Sequence, residues 1–156
     1  MGSAGRPVMA ALILLSMVLM YFGYGAARDA GPVWWGRNPA LTGINNLLML
    51  LAFYLYAASG LRTAITRRIR HPQLTAVKTW AVAHLLVNGD LASFVLFGGL
   101  LAWAVATVIL INRAEPDWTR PAPQPVWKEA AALVGAIIVM GAVMGLHNWL
   151  GYQPWG

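Results

Sequence analysis

The chain has 156 residues, of which 59% fall in the set AVILMFWYC and only 10% are charged, where a soluble domain carries roughly 25% charged residues. At a mean hydropathy of +0.60 there is too little polar side chain to coat a globule of this size in water, so lipid must be the solvent for much of its surface. Eleven Lys and Arg against five Asp and Glu give a net charge of +6, read as membrane orientation and not as a nucleic-acid footprint, and the absence of cysteine excludes disulfide scaffolds, thiolate metal sites and cysteine nucleophiles.

Windows of about 19 residues give long uncharged apolar runs at 8–26, 41–61, 91–111 and 130–150. The first follows Arg6 as a secretory signal would, but it is longer than a signal's apolar region and other spans follow, so it is read as an anchor. A shorter candidate lies at 72–87, opened by Pro72 in the first helical turn and closed by Asn88-Gly89, read as a left-handed C-terminal stop. It rises about 24 Å, short of a core of roughly 30 Å, so local thinning or snorkelling must cover the difference. Lys78 inside it is read as a snorkelling cation. Asp90 is expected to cap the next helix, with Ser93 at its third position. The fold class is therefore all-α: one polytopic membrane helical bundle of about five transmembrane helices, a single domain over 1–156.

Five spans place the N-terminus and the loops 62–71 and 112–129 on one side. That side holds Arg6, Arg62, Arg67, Arg68, Arg70, Arg113, Arg120 and Lys128, whereas the other holds Arg28 and Arg37. The positive-inside rule makes the richer face cytoplasmic, which puts the C-terminus outside a bacterial inner membrane. Trp34, Trp35, Trp118, Trp127, Trp149, Tyr152 and Trp155 suit interfacial aromatic belts. The stretch Ala114 to Trp127, with Pro116, Pro121, Pro123 and Pro125, reads as an extended, poorly packed connector.

The metal-ligand candidates are the three histidines. His71 and His84 are separated by about 20 Å of helix rise and roughly 220° of rotation, so they cannot share one iron. His71 is read as an interfacial helix-start residue beside its arginines. His84 lies within lipid depth, about 9 Å from the outer end of its helix, where an ionisable side chain is functional by default. His147 lies in the last turn of the fifth helix, near the same boundary. Two neutral imidazoles from different helices at similar depth are what axial ligation of a buried haem requires; the alternative for each is a hydrogen bond to a neighbouring carbonyl. Asn88, four residues after His84, is placed to orient the imidazole. Gly141-Ala142-Val143-Met144-Gly145 permits close helix approach, within the chain or between copies. The methionines are read as apolar filler. No phosphate loop, nucleophile triad or paired carboxylates stand out.

The stretch Arg70-His71-Pro72-Gln73, then Lys78 through Ser93 (KTWAVAHLLVNGDLAS), then Phe97-Gly98-Gly99 resembles the signature of the NnrU family, and the similarity extends more loosely from about Gly23 through the fifth helix. The resemblance implies a membrane protein associated with denitrification and nitric oxide metabolism, and a relation to zeta-carotene isomerase, an integral membrane enzyme using haem b. It implies that His84 matches a haem ligand of that relative. It also implies a further N-terminal helix bearing the second ligand, which this chain is expected to lack, so that either the chain is shortened at its N-terminus, or His147 substitutes, or no haem binds. Three functions follow as expectations: an accessory protein supporting a nitric oxide reductase, a haem-dependent cis-trans isomerase of a carotenoid such as zeta-carotene, or a non-catalytic subunit of a membrane complex. Association of copies would run through Gly141 and Gly145.

Overall fold

The computed structural model describes residues 5–155; residues 1–4 and 156 of the expected domain lie outside them. Five helices cover most of the described chain: α1 (Gly5–Ala27), α2 (Pro39–Leu61), α3 (Pro72–Val87), α4 (Leu91–Ala114) and α5 (Val126–Trp149). Four are long and apolar enough to cross a membrane; α3, at 16 residues, is shorter. Every expected span is present, and α3 has the expected limits. α5 starts earlier than expected, at Val126, because the chain enters its first turn directly from Pro125, which brings Lys128 and Glu129 into the helix.

Asn38 opens α2 by accepting the Leu41 N–H at 2.9 Å, with Pro39 following where no donor is needed. Packing runs in a chain: α5 on α2, α2 on α3, α3 on α4. The seams are built from alanine, with Ala52, Ala58, Ala76, Ala81, Ala83, Ala104, Ala132 and Ala136 all buried. In lipid there is no hydrophobic drive between helices, so backbones must approach closely enough for dispersion to hold them. Leu55 fills the α2–α3 seam, with Trp80, Ile65 and Ile69 packed beside it. α1 buries no residue and meets the rest mainly where its C-terminal end touches the start of α4.

The Gly89 stop differs from expectation. Asn88 leaves α3 in an extended conformation, and among the described glycines only Gly31 and Gly151 have positive φ. Gly89–Asp90 (β2) instead pairs antiparallel with Val33–Trp35 (β1). Glycine is needed there for space, because a Cβ would lie 2.5 Å from Trp35 Cδ2 and 2.6 Å from its carbonyl oxygen. Trp35 also donates from Nε1 to the Leu85 carbonyl at 3.1 Å, and both Trp34 and Trp35 meet Phe94 edge to face. These two rings therefore close the end of α3 as well as occupying an interface.

The proline-rich connector is less loose than expected. Arg67 donates to the Pro121 carbonyl at 3.1 Å, and Arg70 donates to that of Glu115. The Arg70–Glu115 ion pair, at 4.0 Å with the glutamate 75% exposed, adds little. Below it, Glu129 accepts the Tyr54 hydroxyl proton and, at 2.9 Å, the Ala64 N–H, so one carboxylate ties α5 to α2 and to the 3-10 turn Ala64–Arg67.

Candidate functional site

α3 presents His84 at the end of the bundle where the C-terminal tail lies. Its Nδ1 hydrogen-bonds the Trp80 carbonyl one turn back, at 2.9 Å. A carbonyl can only accept, so Nδ1 carries the proton and Nε2 is left with its lone pair, the tautomer a metal-binding imidazole needs. The ring stacks on Phe97 at 4.7 Å and leans on Trp80 at 4.9 Å. Phe97 reaches it because α4 contains a π turn, Phe94–Gly98, at the two glycines Gly98 and Gly99. Such turns re-aim side chains and concentrate at functional sites.

His147 repeats the arrangement on α5. Its Nδ1 hydrogen-bonds the Val143 carbonyl at 2.8 Å, which frees its Nε2 in the same way. Neither Nε2 has a hydrogen-bond partner among the described residues. Tyr152, on the tail after α5, places its ring 6.4 Å from that of His147. Arg28, just past α1, lies over the other side of Tyr152 at 5.0 Å. From α1, Tyr24 meets Phe97 at 6.0 Å and hydrogen-bonds Ser93 at 3.0 Å. Because Ser93 donates its own proton to Asp90, at 2.6 Å, Tyr24 is the donor in that pair. Asp90 also caps α4 through the Ser93 N–H at 2.8 Å, as expected.

These contacts form a chain around the site, from His84 through Phe97 to Tyr24 on α1, and from Arg28, just past that helix, through Tyr152 to His147. The tail is pinned across it by Arg37, which donates to the Gln153 carbonyl, and by Asn46, which donates to that of Pro154 at 3.2 Å. Asn46 accepts in turn from Asn45. That fixes the Asn45 amide with its oxygen turned away, and this oxygen and the Thr42 hydroxyl are buried without a partner among the described residues. Thr42 and Asn45 lie on the half of α2 that runs beside the end of α3. Residues from five helices thus supply two metal-competent imidazoles, aromatic walls and unfilled polar positions.

The other expected residues fall as follows. Asn88 donates to the His84 carbonyl at 2.9 Å, not to the imidazole, so it closes the helix and the ring is oriented by Trp80 and Phe97 instead. His71 lies at the opposite end and hydrogen-bonds Asn112 at 2.9 Å. Lys78 is half-buried with no acid within ion-pair distance among the described residues. Gly141 and Gly145 are exposed, and a Cβ on either would meet nothing within 4 Å. They sit roughly 120° and 160° around α5 from His147, so the helix turns its histidine inward and its glycines outward. No group of three or more His, Asp or Glu is gathered among the described residues. Two apolar cavities of about 480 and 340 Å³ lie elsewhere, between α2 and α5, and share Tyr54 and Leu133.

Sequence reasoning gave Phe97, Tyr24, Tyr152 and Arg28 no part in the site, although Phe97 and Trp80 stand within the family signature, Tyr152 among the interfacial aromatics and Arg28 in the cation count. In comparison with known proteins, the family model described as NnrU protein matches residues 1–154. No curated protein and no solved structure matches the chain.

Proposed function

The chain belongs to the NnrU family, and on that premise we propose that it is a haem b-binding membrane protein supporting denitrification and nitric oxide metabolism, with His84 and His147 as iron ligands. The observation that carries this reading is the repeated tautomer: two imidazoles on different helices, each with Nδ1 tied to the carbonyl four residues back and Nε2 free. The donor set fits the group, since neutral imidazole is a haem ligand, the surrounding rings are apolar and aromatic, and Trp80 and Val143 hold the ligands' orientation without consuming their lone pairs. Bound there, haem would supply a redox-active iron able to accept and pass on an electron. The protein's own part is to hold both imidazoles oriented, to exclude water with Phe97, Trp80 and Tyr152, and to present the site to a partner such as a nitric oxide reductase.

The membrane is the bacterial inner membrane, with the arginine-rich end cytoplasmic and the tail end periplasmic, as the cation count supports. The outward glycines of α5 offer a face for a second copy or for a larger complex. A second reading, a haem-dependent carotenoid cis-trans isomerase, is favoured by one feature: α1, which contributes Tyr24 to the site, buries none of its residues and so presents that side to lipid, where a long apolar substrate would dissolve.

Protein purified from haem-replete cells is expected to show a Soret band that shifts on reduction, is lost in His84→Ala and changes spin state in His147→Ala. A colourless preparation overturns the haem reading and leaves the structural subunit. A haem-loaded protein that converts a cis-carotenoid in vesicles moves the assignment to the isomerase.

A further inference from the structure

Resting on the haem reading, we infer that Arg28 is the anchor for the cofactor's carboxylates. An amphipathic macrocycle held between two imidazoles near one face of the bilayer must direct its charged edge to the polar boundary, and a cation must meet it there. The tail end of the bundle offers Arg28 and Arg37. Arg37 is committed, since its guanidinium donates to the Gln153 carbonyl and holds the tail. Arg28 is differently placed. Its guanidinium rests on the face of Tyr152, 5.0 Å from the ring centre, and that same ring stands 6.4 Å from His147. A cation–π contact uses the charge of the guanidinium and none of its N–H donors, which stay open to an acceptor.

The face of α1 supports the placement. Beyond its first residue, only Met20 and Tyr24 on this helix are partly buried, and Arg28 is four residues past Tyr24, on the same side. Tyr24 meets Phe97, which stacks on His84. The end of α1 and the turn after it therefore border the site, from an apolar floor at Tyr24 to a charged rim at Arg28. A guanidinium binds a carboxylate through paired N–H donors, which a lone ammonium cannot reproduce.

The test compares two probes on the purified full-length protein stripped of haem: hemin, and hemin dimethyl ester, whose carboxylates are masked. Wild type is expected to bind hemin more tightly than the ester. Arg28→Gln is expected to weaken hemin about tenfold and to leave the ester within about twofold, while Arg28→Lys retains part of the preference. Arg37→Gln loosens the tail at its other pin and serves as the control, with the preference for hemin preserved. Unchanged hemin affinity in Arg28→Gln overturns the inference. So does an equal loss for both probes, which a lipid phosphate or a purely structural contact at Arg28 gives. Failure of wild type to bind either probe overturns the haem reading itself, an outcome distinct from both.

Discussion

A histidine in lipid is held by the partner its protonated nitrogen finds. At His84 and at His147 that partner is the carbonyl one turn earlier on the same helix, so each Nδ1 is satisfied locally, while Phe97 from α4 adds a stacking contact at His84. The cost of an imidazole at this depth is thereby lowered without engaging Nε2. Gly89 shows the opposite dependence, on a distant residue. Its missing side chain makes room for Trp35, whose indole closes the last turn of α3. Gly89→Ala forces β1 away from β2 and is expected to cost about 1–3 kcal/mol, read as a lower midpoint of thermal unfolding in detergent. An unchanged midpoint would mean that the Trp35 contact contributes nothing to holding α3.

At the scale of elements, α3 is the shortest helix and the best packed, and α1 is long and scarcely packed. Length and hydropathy select α1 as the clearest span, yet α3 places His84 in the packed interior because α2 and α4 both cover it. The α2–α5 seam depends on one carboxylate. Glu129 satisfies the Tyr54 hydroxyl and the Ala64 N–H together, so Glu129→Ala strands two donors and is expected to destabilise the fold by about 1–3 kcal/mol. Glu129→Gln keeps an acceptor and should lose less. Equal midpoints for the two variants would show that neither hydrogen bond matters to the seam. The π turn of α4 belongs at this scale too, since it aims Phe97 at His84.

For the whole molecule, the arrangement of charge decides orientation. The chain has no cysteine, so single cysteines report topology directly: Ala122→Cys is expected to react with an impermeant maleimide only from the cytoplasmic side, and Trp155→Cys only from the periplasmic side. Reversed labelling would refute the orientation taken from the cation count. Enclosure is also a whole-molecule property: α5 buries Ala132 and Ala136 against its neighbours but nothing beyond them, and α1 buries nothing, so these are the two least enclosed helices.

Much of this was legible in the residues alone. Uninterrupted apolar runs, Pro72 and Asp90 define the helices, because span length and capping depend only on local chain chemistry and bilayer thickness. Likewise His84 stands out by its type and depth. Tertiary structure alone decided what surrounds it. Phe97 reaches His84 through a π turn, Trp35 reaches Gly89 across 54 positions of chain, and Arg28 reaches His147 through a tail folded back from α5; none of these leaves a periodic trace, because each depends on how separate helices lie against one another. The same holds for Gly141 and Gly145: their spacing permits a close helix contact, but only the way α5 is rotated in the bundle turns them outward.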